Sequence, residues 1–346
     1  MAEAPVAGEH TAGTQGGEAR TVLASVTANP ARLAELEQRV SQVSLETGHP
    51  LSLVATREST EVRTVLPEAA ILLTYRFDPD QLAAATALEW IHFGAAGIEH
   101  SIFPELLHSG VRITTAKGIH GDVMAEYVVM AIIALATGLP QSAAAARRRE
   151  WIGRELRPLH HSIAGRRLLV LGLGHVGRPI ARLAAALGMK VRGVRRRAGE
   201  GILPDGVGSV HTLAELDDLL PETDYLVIAM PRTSETNRLL DRRRLLALPA
   251  GSGIVNVARG TLIDEAALIE VLDSGHLRGA VLDSFATEPL PAESPLWEHP
   301  RAIVTPHIAG NFDDYTRRVI VQFCENLRRY LTGAELLNPY DPEGGY

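Results

Sequence analysis

A chain of 346 residues, 46% of them apolar, is long enough for two domains of ordinary size, each with its own core. Its 34 Lys and Arg stand against 41 Asp and Glu; the formal net charge of -7 opposes binding to nucleic acid or anionic lipid and points to a small-molecule partner. One cysteine, Cys324, excludes an internal disulfide and a thiolate zinc site, and fits a small buried hydrophobe in a reducing, cytoplasmic compartment.

Residues 1–18 are rich in Ala, Gly, Thr and Glu, without a basic start or an apolar run, and read as a disordered tail rather than a signal peptide. Between 21 and 115 the pattern predicts strands at 51–55, 70–75, 90–93 and 111–114, with helices at 32–43 and 99–109. Strands separated by helices imply a parallel sheet, because antiparallel hairpins need only tight turns. A long apolar helix over about 122–137 follows, with Asp122 placed to cap it. The apolar stretch 123–139 carries Glu126 and is shorter than the ~20 residues of a membrane span, so a buried helix is predicted.

After Gly165 a second alternating set predicts strands at 168–171, 190–194, 225–230, 253–257, 280–283 and 302–304, apolar enough to be covered on both faces. A helix over 264–274 has Asp264 as its cap and Gly275 just past its end. The last helix, 311–331, sets Tyr315, Val319, Phe323, Leu327 and Leu331 on one stripe, with Arg317, Arg318, Arg328 and Arg329 largely off it. It is expected to return to the first domain. The predicted fold class is α/β with two doubly wound parallel sheets; no fixed-period repeat is present.

Directly after the 168–171 strand stands Gly172-Leu173-Gly174-His175-Val176-Gly177, followed by a helical pattern. The first glycine permits a tight turn, the second lets backbone approach a pyrophosphate, and the third lets the helix lie close to the strand with its N-terminus toward the phosphates. A chance glycine-rich loop would lack this strand-turn-helix context. At the end of the next strand, where NAD-specific enzymes place an acidic residue for the ribose hydroxyls, the chain reads Arg195-Arg196-Arg197. A guanidinium accepts a 2′-phosphate that a carboxylate would repel, which favours NADP(H), with NAD(H) as the alternative if the triplet is only a solvated basic loop. Two further triplets, Arg147 to Arg149 and Arg242 to Arg244, follow no such turn and read as exposed helix faces.

Three segments at the ends of later strands carry the residue types that reducing a 2-oxo acid needs: NVARG at 256–260, DSFATEPLP at 283–291 and TPHIAG at 305–310. The reaction calls for a cation for the carboxylate, a proton donor for the developing alkoxide, and a group that keeps the donor charged. Arg259, His307 and Glu288 are that set. A carboxylate beside an imidazole favours its charged form, so a glutamine at 288 should shift the pH optimum. Each of the three taken singly also suits an ordinary ion pair or core position.

The glycine turn and these three segments, in this order, make the chain resemble the D-isomer-specific 2-hydroxyacid dehydrogenase family from about Thr21 onward. The resemblance implies a Rossmann cofactor domain, 118–310, inserted into a flavodoxin-like substrate domain of 19–117 plus 311–346, with hinges near 115–121 and near Gly310 that close a cleft. It implies Arg259 on the substrate carboxylate and carbonyl, His307 as general acid in reduction and base in oxidation, and Glu288 bonded to the imidazole. By the same carry-over Asp283 holds the nicotinamide carboxamide, Val257 and Ala258 line the nicotinamide pocket, and Pro231 and Thr236 flank the cofactor. The loop Gly94-Ala95-Ala96-Gly97 resembles the family's carboxylate-binding loop, with the backbone N–H groups of Ala95, Ala96 and Gly97 as an anion nest; a plain turn is the competing reading. Trp297 matches a position near the substrate mouth or, equally, an anchoring core residue. The helix after Asp122 resembles the family's dimer contact, so a homodimer is expected.

The expected activity is hydride transfer between NADP(H) and a small 2-oxo or D-2-hydroxy acid, closest to the glyoxylate and hydroxypyruvate reductase branch. One alternative is a dinucleotide-sensing, corepressor-like binding protein on the same scaffold; another is a phosphite-type dehydrogenase. The formate type carries Gln before its catalytic His, where this chain has Thr305-Pro306. His92, His120, His160 and His161 match no ligand spacing, and no metal is expected.

Overall fold

The computed structural model describes residues 19–197 and 203–342, so the predicted tail at 1–18 lies outside the described residues. The described residues divide into two compact units: residues 19–116 together with Thr316–Tyr340, and Lys117–Tyr315 with residues 341–342.

In the first unit, β1 (Arg20–Ser25), β2 (Leu51–Ala55), β3 (Ala69–Thr74), β4 (Trp90–Phe93) and β5 (Arg112–Thr115) form a parallel sheet in the order β2-β1-β3-β4-β5, the flavodoxin-like arrangement. β3 and β4 are buried at every position, as strands covered on both faces must be. β1 was not anticipated. Its apolar centre is only Val22-Leu23-Ala24, flanked by Arg20, Thr21 and Ser25, and ladders to β2 and β3 on both sides hold it as a strand. The helix predicted over 99–109 is instead a 3-10 turn, Glu99–Ser101, and a short helix, Pro104–His108, because Pro104 opens a new helix and keeps Phe103 extended.

The Tyr315–Thr332 helix belongs to this unit from Thr316 onward, with Val319, Phe323 and Leu327 fully buried. It begins four residues later than predicted, and Tyr315 is only half-buried. Trp90 stacks on Phe323 and Tyr330 with ring centroids 5.4 and 5.3 Å apart, so truncating Phe323 to Ala would cost about 3–5 kcal/mol. Beside them His92 is fully buried; its Nδ1 lies 2.8 Å from the Thr114 hydroxyl and its Nε2 has no partner. Burial pushes its pKa down to about 3. Cys324 is a free, buried thiol whose pKa burial raises to about 12.

In the second unit β6 (Arg167–Leu171), β7 (Lys190–Val194), β8 (Ser209–His211), β9 (Tyr225–Ile228), β10 (Gly253–Asn256), β11 (Gly279–Leu282) and β12 (Ala302–Val304) form a parallel sheet ordered β12-β11-β10-β9-β6-β7-β8. The chain starts at β6, adds β7 and β8 on one side, then returns to add β9 to β12 on the other. The β6/β9 junction is therefore the switch point, beyond whose carboxyl ends ligands bind in such sheets. The three-residue edge strand β8 was not anticipated, being too short to show a period.

The Gly121–Thr137 helix buries Ala125, Val128 and Ile132 in one cluster with Ile180, Ala181 and Ala184 of the Gly177–Ala186 helix. Asp122 is not its cap. The helix starts one residue earlier, with His120 at the N-cap, and Asp122 pairs with Arg182 at 3.0 Å. A Cβ on Gly121 would stand 2.5 Å from the His175 carbonyl oxygen, so the missing side chain lets the helix begin hard against the glycine turn. The Glu265–Asp273 helix is capped by Asp264, which accepts the Ala267 N–H, and Gly275 follows at φ 74°. Among the described residues no single helix is long and apolar enough to cross a membrane, and no group of three or more His, Cys, Asp or Glu could hold a metal.

Candidate active site

The glycine turn leaves β6 and enters the Gly177–Ala186 helix. Gly172 adopts φ 99°, and a Cβ there would lie 2.6 Å from the Ala229 carbonyl oxygen after β9. On Gly177 a Cβ would fall 1.7 Å from the Gly172 oxygen, so the helix can meet the strand only without a side chain. Gly174 behaves differently: a Cβ there meets nothing within 4 Å, leaving open space in front of its backbone. The helix has no side-chain N-cap and no acidic residue in its first turn, so its N-terminal dipole is not offset by a local carboxylate. Partial burial, then the Lys117 and Arg178 cations, lower the pKa of His175 in this turn. The site is an electropositive cradle of backbone amides, suited to a pyrophosphate.

β7 ends at Val194, and Arg195 follows, its N–H donating to the His211 oxygen. Its Nε is buried without a partner, an orphaned donor that a 2′-phosphate would satisfy. Arg196 and Arg197 are exposed, and the loop beyond them lies outside the described residues. The other two triplets have different surroundings. Arg242 pairs with Glu270, and Arg243 and Arg244 with Asp217, whereas Arg147 to Arg149 are exposed at a helix end.

The three later segments meet at the carboxyl ends of β10, β11 and β12. After β10 the buried Asn256 side chain accepts the Ala258 N–H at 3.0 Å and donates to the Arg259 oxygen at 3.1 Å, shaping the turn that presents Arg259. A Cβ on the next residue, Gly260, would stand 1.9 Å from the Phe285 carbonyl carbon. The Arg259 turn therefore lies directly on the Phe285-Ala286 backbone. Glu265 accepts the Ala286 N–H at 2.6 Å and pins that segment from the neighbouring helix. Glu288 uses both oxygens: one accepts the Phe285 N–H at 3.0 Å, the other lies 2.8 Å from His307 Nδ1. Both side chains are partly exposed.

His307 sits at φ 53°, a left-handed conformation that costs a non-glycine residue of order 1–3 kcal/mol and persists only where its surroundings over-determine it. Asp283 supplies much of that determination. Buried at the end of β11, its carboxylate accepts the Ile308 N–H at 2.8 Å, the Ala309 N–H at 2.8 Å and the Thr305 hydroxyl at 2.6 Å. Three bonds leave about one further lone-pair site for another donor.

The remaining predicted residues lie on neighbouring loops. Thr236, buried, closes the loop after β9 by donating to the Pro231 oxygen and accepting the Thr233 N–H, with Pro231 exposed at its mouth. Val257 and Ala258 follow β10, both at least partly buried. Ala95 and Ala96 lie in a bend with Gly94 after β4 in the other unit, with Gly97 next, and the Ala95 oxygen accepts the Ala116 N–H. Trp297 is no core anchor: it is half-exposed, and its indole donates to the Pro291 oxygen at 2.9 Å. Asn256, Glu265, Thr305 and Tyr127 also build the site, and only Asn256 and Thr305 lie inside the three motif segments of the sequence.

A family model described as the NAD binding domain of D-isomer specific 2-hydroxyacid dehydrogenases matches residues 129–309, more than half of the chain. The chain belongs to the D-isomer specific 2-hydroxyacid dehydrogenase family. A curated relative, the D-3-phosphoglycerate dehydrogenase of Mycobacterium tuberculosis, is 31% identical over 316 residues, covering 86% of this chain and 58% of that protein. The chain thus spans little more than half the length of such relatives. A crystal structure of a family protein from Aeromonas salmonicida is 32% identical, with a TM-score of 0.76, covering 93% of this chain and 99% of that one. An NADPH-dependent glyoxylate/hydroxypyruvate reductase from Sinorhizobium meliloti, solved with NADP and sulfate, is 26% identical with a TM-score of 0.77, covering 94% of this chain and all of that one.

Proposed function

We propose that the chain reduces a small 2-oxo acid to the D-2-hydroxy acid with NADPH. The observation that carries this reading is the His307–Glu288 pair at 2.8 Å, built beside the Arg259 turn at the strand ends that also carry the glycine cradle. A nicotinamide, when bound, supplies the hydride. Arg259 binds the substrate carboxylate and carbonyl oxygen, drawing charge toward its guanidinium as the carbonyl is reduced. His307 gives the alkoxide a proton from Nε2 while Glu288 holds Nδ1–H and fixes ring orientation. Asp283, Val257 and Ala258 face the nicotinamide end; Pro231 and Thr236 flank the dinucleotide.

The preference for NADP(H) rests on the orphaned Arg195 Nε and on the absence of a carboxylate at the end of β7, and it agrees with the NADP bound in the Sinorhizobium reductase. A homodimer is supported by the exposed apolar Met130 and Ile133 on the partly buried Gly121–Thr137 helix, and light scattering checks it. A second reading, oxidation of D-3-phosphoglycerate, is favoured by the identity to the mycobacterial enzyme.

The test is loss of reduced-nicotinamide absorbance, with NADPH and then NADH, against glyoxylate, hydroxypyruvate, pyruvate and branched 2-oxo acids, with D-3-phosphoglycerate run in the oxidative direction. Turnover of a 2-oxo acid supports the reading, and the side chain accepted reports pocket size. Dinucleotide binding without turnover of any acid overturns it in favour of a sensor.

A further inference from the structure

The acid-base histidine of the proposed reaction has a left-handed backbone, and something must hold it there. Its own N–H donates to the Thr305 oxygen at 3.0 Å, and the next two N–H groups, of Ile308 and Ala309, go to Asp283. The Thr305 hydroxyl also bonds Asp283, and on its far side lies the Tyr127 hydroxyl at 2.6 Å, on the Gly121–Thr137 helix.

The direction of the protons follows from the end of the chain. An ionised carboxylate only accepts, so the single Thr305 hydroxyl hydrogen is committed to Asp283. Tyr127 must then be the donor to Thr305. We infer that Tyr127 and Thr305 are positioning residues for His307: a one-way chain, Tyr127 O–H to Thr305 O–H to the Asp283 carboxylate, locks the loop that holds the imidazole in register with Glu288. Burial first, and the Asp283 charge after it, hold the Tyr127 phenol above its ordinary pKa against the lowering effect of Thr305, so it stays a donor across the working pH range. Tyr127 touches none of Arg259, Glu288 and His307 among the contacts described. Its helix carries a core function besides, which is why its sequence pattern conceals the role.

This inference rests on the functional reading above, and the experiment separates the two. Thr305→Val, Thr305→Ser and Tyr127→Phe are compared with the full-length wild type for kcat, KM, the pH profile of kcat and NADPH dissociation by fluorescence. Thr305→Val is expected to lower kcat on the order of tenfold, short of the hundredfold that a misplacement of about 1 Å can cost. Thr305→Ser keeps the donor and restores most of it. Tyr127→Phe gives a smaller fall with a displaced pH profile, while NADPH dissociation changes by less than about twofold, below the tenfold that loss of one strong bond would give. A merely structural defect would scale kcat equally at every pH, and that result, or a Tyr127→Phe enzyme identical to wild type, overturns the inference. If no acid is turned over, the functional reading fails, and the titration of the His307 ring by NMR still decides the clamp: a midpoint that differs between wild type and Tyr127→Phe supports it, and an identical one overturns it.

Discussion

Glu288 bonds two partners at once, the His307 ring at 2.8 Å through one oxygen and the Phe285 N–H at 3.0 Å through the other, so its carboxylate is oriented before any substrate arrives. Glutamine at 288 has one carbonyl oxygen where glutamate has two acceptors, and must surrender one of these bonds or set its amide against the other. Glu288→Gln is therefore expected to lower kcat for 2-oxo acid reduction by about 10²-fold, the low end of what general acid catalysis contributes, and to move the alkaline limb of the pH profile to lower pH, because the charged imidazole loses its carboxylate partner. Steady-state kinetics between pH 5 and 9 read both; an unchanged profile would remove Glu288 from the proton chemistry.

The proposed preference for NADP(H) rests on one side chain, Arg195. Replacing Arg195 by Gln removes the guanidinium whose Nε is orphaned, and the loss of a charge-assisted bond is worth about 1.5–3 kcal/mol. The KM for NADPH should rise about 10- to 100-fold while that for NADH holds. Equal effects on both cofactors would mean that Arg195 supports the loop rather than the phosphate.

The glycines of the turn separate structure from binding. A methyl at 177 would meet the Gly172 oxygen at 1.7 Å, so Gly177→Ala should lose about 3 kcal/mol of stability and all dinucleotide binding. Gly174→Ala meets nothing within 4 Å and should melt at the wild-type temperature, yet bind NADPH more weakly because its methyl projects where phosphate approaches. Melting curves and fluorescence titration of the two proteins make the comparison.

His92 makes the first unit acid-sensitive. Burial lowers its folded pKa to about 3, so between that value and the unfolded pKa near 6.5 the unfolded chain binds a proton that the folded chain refuses. Stability from this residue is complete above about pH 6.5 and falls as the pH drops, by about 2 kcal/mol at pH 5 at 1.36 kcal/mol per unit. Hydrogen exchange of the β4 amides should reveal that slope in the wild type and a flatter one in His92→Leu.

Much of this architecture was written in local patterns. β2, β4, β7 and β12 match their predicted spans, although β7 reads Lys-Val-Arg-Gly-Val and is apolar only at Val191 and Val194. The glycine turn stands out as a strand-turn-helix and the His307, Glu288 and Arg259 segments by residue types at short spacing, and the structure pairs His307 with Glu288. β1 and β8 could not, since a three-residue apolar centre or edge has no measurable period and is held by its neighbours. Asp122 looked like a cap by residue type, and tertiary packing of Gly121 on the His175 backbone moved the helix start past it. Tyr127 lies 178 residues from Thr305, a separation at which a single sequence carries no signal of contact.

The outward order in which β6 to β12 join their sheet also sets a schedule. A nascent chain that has emerged through β9 already possesses the strands that Gly172 packs between, so the nucleotide cradle can close. Its proton-transfer half cannot form until Ala309 has left the ribosome, because Asp283 reaches forward to Thr305, Ile308 and Ala309 for its partners. The strands that flank the glycine turn are therefore synthesised before the residues that meet Asp283, and a ligand that bound the partly built sheet would stabilise it while the rest is added.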